Sequence, residues 1–156
     1  AYESSLGSTH PHTVACITNL AVVARALKDR DNALELARQA ADDFHTVLGA
    51  VHPFTLDART NLAICLAESG NRVAGTALLA ETEANVTAVF GPDHPVTLRC
   101  RANLSLMGQR EGGQPRTTVE PRILEQLAEK LGSTHPVLSE FRDGRLVARA
   151  IDPHPF

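Results

Sequence analysis

Leu48-Gly49-Ala50-Val51-His52-Pro53-Phe54-Thr55-Leu56-Asp57-Ala58-Arg59-Thr60-Asn61-Leu62-Ala63 is the stretch on which the fold turns, because both of its ends recur. The closing phrase appears as Asn19-Leu20-Ala21, Asn61-Leu62-Ala63 and Asn103-Leu104-Ser105, at two successive steps of 42 residues. The opening phrase keeps the same beat as Leu6-Gly7-Ser8-Thr9-His10-Pro11, Leu48 to Pro53, and Phe90-Gly91-Pro92-Asp93-His94-Pro95. It returns at Leu131-Gly132-Ser133-Thr134-His135-Pro136, with His135 41 residues after His94. Two phrases held in register along most of the chain make it a tandem array. A period between about 20 and 50 residues implies a solenoid or propeller. Solenoids present an extended surface to a partner, which already bounds the function.

One repeat can be read as physics. Pro11 tolerates a first helical turn because its missing N–H has no intrahelical partner there. The His before it is pushed away from the helical region. His10 or Thr13 is expected to cap. Val14, Ile17, Leu20, Ala21, Ala24 and Leu27 follow the i, i+3, i+4, i+7 rhythm of a helix buried on one face. Lys28 to Asn32 interrupts it, and Asp31 or Asn32 is expected to cap a second helix. That helix carries Ala33, Leu36, Ala37, Ala40, Ala41, Phe44, Val47 and Leu48 at helical spacing, and Gly49 is expected to close it in the αL conformation. The second repeat copies this, with a helix from Pro53 to about Ser69-Gly70 and a second one capped by Asn71. Ala74, Gly75 and Ala77 keep that contact thin. In the third, a helix from Pro95 to about Gln109 precedes a longer loop at Gly112-Gly113-Gln114-Pro115. A shortened helix then starts at Pro121.

Composition restricts the function. The chain has 156 residues, 43% apolar but only 4% aromatic with no Trp, so Ala, Leu and Val must fill the core. This suits close-packed helices. The net charge of −3 and a single loose basic cluster (Arg99, Arg101, Arg110, Arg116) argue against nucleic acid, which needs a denser basic stripe. Cys16, Cys65 and Cys100 lack metal-ligand spacing and fall in apolar helical stretches, where a small reduced core side chain is expected. No apolar run approaches the ~18 residues of a membrane span, and no signal peptide opens the chain. The expected location is the cytoplasm. Ala1-Tyr2-Glu3-Ser4-Ser5-Leu6-Gly7 reads as the end of a preceding repeat, so the chain is expected to be the C-terminal part of something larger. Underburied Tyr2 and Leu6 would then favour a homodimer through that end.

These residues resemble tetratricopeptide repeats of the 42-residue variety found in kinesin light chains and many bacterial sensor proteins. The likeness rests on Leu-Gly-x-x-His-Pro-x-Thr, then Asn-Leu-Ala, with small residues at Ala33, Ala40, Gly75 and Thr82, and covers about residues 6 to 140. HEAT and armadillo repeats have similar length but lack the Leu-Gly…His-Pro restart. The excess of 13 Arg over Lys28 and Lys130, and a faint likeness of the Asp-Pro-His-Pro-Phe ending to actinobacterial repeat proteins, point to a bacterial source. The implied fold is all-α, a right-handed α-solenoid of about three and a half antiparallel helix hairpins. Residues 1–7 end a preceding repeat, and 8–49, 50–91 and 92–132 are three repeats, the last with a degenerate second helix. Residues 133–150 form a partial capping repeat and 151–156 a Pro-rich tail.

His10, His52, His94 and His135 cannot converge on one metal, which needs ligands within about 2.0–2.1 Å of it. Equivalent positions in an array lie about one helix spacing apart, roughly 8–10 Å. They are expected to be turn residues. No Ser-His-Asp set, paired carboxylates or phosphate loop appears, so neither catalysis, metal nor cofactor is expected. In the resembled family the Asn before Leu-Ala faces a concave groove, and a side-chain amide carries both donor and acceptor. Asn19, Asn61 and Asn103 are therefore expected to grip an extended peptide backbone, or else to bond between neighbouring first helices. Neighbours one turn away on the same face would read the side chains. They are Thr18, Val22, Arg25 and Ala26, then Asp57, Thr60, Ile64 and Glu68, then Arg99, Ala102, Leu106 and Arg110, with Arg25, Arg99 and Arg110 selecting acidic features. The function expected is a module binding a protein or peptide. The alternative is a sensor or oligomerisation arm of a larger nucleotide-binding signalling ATPase.

Overall fold

The computed structural model describes residues 7–108 and 116–152. Gln109, Arg110, the Gly112-Gly113 loop, Tyr2, Leu6 and the end of the tail from Pro153 lie outside the described residues. Among the described residues there are seven helices and no β-sheet. They are α1 Pro11–Ala26, α2 Arg30–Leu48, α3 Pro53–Glu68, α4 Arg72–Phe90, α5 Pro95–Met107, α6 Pro121–Leu131 and α7 Pro136–Arg142. Each packs on the next, and α1, α3 and α5 also touch in sequence, which is the arrangement of a helical solenoid.

Four helices start in the same way. His10, His52, His94 and His135 are extended N-cap residues. In each, Nδ1 accepts the backbone N–H two residues on, at 3.2, 3.2, 3.2 and 3.3 Å. The Pro that follows has no N–H to leave unsatisfied. Thr13 does not cap; its hydroxyl donates to the Gly7 carbonyl at 2.9 Å, as that of Thr97 donates to the Gly91 carbonyl at 2.7 Å. These two bonds tie the first turns of α1 and α5 to the glycine loops ahead of them.

The second helices differ from expectation in detail. Asp29, and neither Asp31 nor Asn32, caps α2 by accepting the Asn32 N–H at 3.4 Å. Lys28 has φ +63, so the chain turns there and the helix begins early enough to draw Asp31 and Asn32 into its first turn. Asn71 caps α4 through the Ala74 N–H, as expected. Gly49 has the positive φ that disfavours a side chain, but its ψ of 168° leads into an extended departure and not an αL cap. The same geometry recurs at Gly91 and Gly132. Helix α5 stops at Met107, two residues short of the expected end.

The largest core gathers Val14, Ile17, Ala21 and Ala24 of α1, Ala33, Ala37, Ala40 and Phe44 of α2, and Ala58 and Leu62 of α3. A second one joins Leu98, Ala102 and Leu106 of α5 to Leu127, Leu138 and Phe141. Three residues assigned to the apolar stripes are exposed: Leu20 (56%), Leu27 (76%) and Val47 (42%). Helical periodicity marks a stripe but does not say what lies against it. Leu62, the counterpart of Leu20, is buried in the cluster with α2, whereas no described helix precedes α1. The capping segment also differs. Helix α7 ends at Arg142, and residues 145–152 lie outside any helix, well before the expected start of the tail at 151.

Candidate functional site

The row of Asn on the first helices faces an extended strand, and that strand is the chain's own residues 146–151. The Asn103 amide donates to the Val147 carbonyl at 3.0 Å and its Oδ1 accepts the Val147 N–H at 2.8 Å. Asn61 does the same with Arg149 at 2.8 and 2.9 Å. Asn19 does so with Ile151 at 2.9 and 2.8 Å. Each amide thus treats alternate residues as a neighbouring strand would. The strand runs from the third repeat to the first. The described bonds of these amides go to the strand, not to neighbouring first helices as the alternative required.

The side chains of the strand are held at both ends and in the middle. Ile151 is 2% exposed inside the core of α1 to α3, and Val147 and Leu146 pack on the core around Leu98. Between them, Arg149 Nη1 lies 3.2 Å from Asp57 Oδ1. Asp57 is 8% exposed. Burial pushes its carboxyl up from the ordinary value, while the guanidinium groups of Arg149 and Arg99 pull it back in part. Beside this pair remains a cavity of only about 20 Å³, lined by Thr60, Val96, Arg99, Cys100 and Asn103. Burial also lowers the pKa of Arg99, and the Arg149 charge adds to this.

A raised Asp pKa has a definite sign in stability. Between the ordinary value and the raised one, the folded chain binds more proton than the unfolded chain, so this group's contribution is full at lower pH and falls as pH rises through that window. A carboxyl carbon titration of Asp57 by NMR is expected to give a midpoint above that of an ordinary aspartate. A midpoint below it would mean that the two arginines outweigh burial.

The other expected site residues divide. Arg25 does not stand ready for an acidic ligand. Its Nε and Nη2 donate to Glu68 at 2.8 and 2.7 Å, and Nη2 also donates to the Leu146 carbonyl at 2.7 Å. Glu68 is engaged by the same pair. Arg99 lines the small cavity together with Asp57 and Arg149, between a carboxylate and another cation. Thr18 and Thr60 turn their hydroxyls back to the carbonyls of Val14 and Leu56. Val22 is half-buried. Ile64, Ala102 and Leu106 are core residues, and Ala26 is exposed. Arg110 lies outside the described residues.

Sequence reasoning missed the occupant. Its signal was present as an alternating stretch, Val147-x-Arg149-x-Ile151, between Gly144 and Pro153, with one cation facing the carboxylate at Asp57. Burial pushes the Cys65 thiol up to about 11 and the Cys100 thiol to about 12, so both keep their proton at neutral pH. Among the described residues no group of His, Cys, Asp and Glu could hold a metal ion, and no helix is long and apolar enough to cross a membrane. No curated protein matches the chain. Residues 13–74, which take in most of α1, all of α2 and α3 and the start of α4, match the family model of the tetratricopeptide repeat, and it is to this family that the array is similar.

Proposed function

We propose that this chain is a protein-binding scaffold of the 42-residue, kinesin-light-chain-like variety of tetratricopeptide repeat, and that it takes extended polypeptide in the groove lined by its first helices. The observation that supports this reading is the threefold clasp, in which Asn19, Asn61 and Asn103 each exchange two hydrogen bonds with the backbone of one strand. Backbone bonds supply affinity without demanding a sequence, while alternate side chains enter pockets between the helices. Strand addition to a sheet edge divides the work in the same way. Binding a protein partner is also what repeats of this family generally do.

A random peptide library panned on the chain with Ile151→Asp, a change that loosens the chain's own strand and opens the groove, tests it. Binders are expected to lose at least about tenfold in affinity on Asn61→Ala/Asn103→Ala, since four bonds at roughly 0.5–1.5 kcal/mol each are removed. Circular dichroism of both proteins checks that the helices persist. Binders retained equally by the double variant would move recognition off this face.

A further inference from the structure

The strand in the groove is more than a filler, because its side chains meet a graded series of surroundings. Residues 147, 149 and 151 share one side of an extended chain, since successive side chains alternate. Along that side the groove offers an apolar seat around Leu98, Ala102 and Leu106 at one end. It offers the buried carboxylate of Asp57 in the middle. At the far end is the apolar core of α1 to α3 that encloses Ile151. A carboxylate in this position, with little open space beside it, is satisfied by a cation brought in on the strand. A neutral or acidic side chain there would leave Asp57 buried without its nearest partner.

Resting on the reading of the groove as a peptide site, we infer that its external partners are extended segments of the form aliphatic-x-Arg/Lys-x-aliphatic, entering from the third repeat toward the first, and that residues 147–151 are a built-in copy of that ligand which a partner must displace. Asp57 is then the specificity-determining residue, and Arg25 and Glu68 secure the entry of the strand through the Leu146 carbonyl. The tail is tethered to the groove, so it competes at an effective concentration that a short linker places in the millimolar range. Free ligand therefore binds the intact chain weaker than the groove itself would allow, by the fraction of time the groove is open.

The experiment uses the full chain and a labelled peptide with the sequence of residues 144–155. In the chain carrying Ile151→Asp, or Arg149→Glu should the first variant not fold, the internal strand is loosened while Asn19, Asn61, Asn103 and Asp57 remain. Fluorescence anisotropy is expected to show at least about tenfold tighter peptide binding than in the unsubstituted chain. A peptide with Glu in place of its central Arg is expected to bind at least about tenfold weaker than the parent. Asp57→Asn should remove most of that difference. Equal binding of the Arg and Glu peptides, still lost on Asn61→Ala, would overturn the inferred pattern and leave the groove reading standing. No binding of any peptide to a folded, loosened chain would overturn both.

Discussion

Gly75→Ala is expected to destabilise the chain by about 1–3 kcal/mol, at the upper end of that range if the helices cannot part. The sign is the informative part. In an open helix the same change stabilises by roughly 0.8–1.0 kcal/mol, because glycine gives up more backbone freedom on folding. At Gly75 a Cβ would lie 2.5 Å from the Ala63 carbonyl oxygen and 3.0 Å from the Ala67 nitrogen, both backbone atoms of α3, and 3.1 Å from the Met107 methyl. A methyl tip can swing away, but a helix backbone cannot, so α4 must move off α3. The equivalent position in the first repeat is Ala33, which is buried without difficulty. There, Cys65 occupies the place that Met107 takes one repeat on, so the two hairpins are packed to different tolerances. Urea unfolding checks this, and a higher midpoint for Gly75→Ala would show that the interface yields.

Phe44→Ala is expected to cost about 3–5 kcal/mol, near the upper limit. Phe44 is fully buried in α2 and meets Phe54 of α3 with ring centroids 5.7 Å apart, so one side chain fills the first hairpin and joins it to the second. The cluster it belongs to is rich in alanine, with Ala40 and Ala41 one turn away on α2 and Ala58 on α3. Alanine has no rotatable side chain with which to close a hole, so the cavity would persist. Phe44→Leu keeps most of the volume and is expected to lose less than half as much. Repeats contact only their neighbours, so hydrogen exchange should show the loss concentrated in α1 to α3. A uniform loss through α6 and α7 would show instead that the array melts as one unit.

The repeat phrases carried the architecture because each element of the phrase has its own local cause. A His-Pro start is capped and relieved of an N–H by two adjacent residues, and a glycine with positive φ ends the helix before it. Such causes lie within one turn of the chain and are visible in sequence. The Asp29 cap was harder to read because Asp29, Asp31 and Asn32 all compete within four positions, and only the turn at Lys28 decides among them. The Asn row was legible as a set of amides on one face of the first helices, but the strand against it was not. Asn19 and Ile151 are 132 residues apart, and no local rule brings them together. The exposure of Leu20 and Leu27 has a similar origin, since periodicity marks the apolar side of a helix but leaves its neighbour unspecified.

The pairing of one amide with every second residue makes the array a gauge of length as well as a grip. Three first helices span the strand from Val147 to Ile151, and each further hairpin of the same kind would extend the measured segment by two residues. Gain or loss of a hairpin would therefore change the length of the held segment by a fixed increment, without altering the pairs already made.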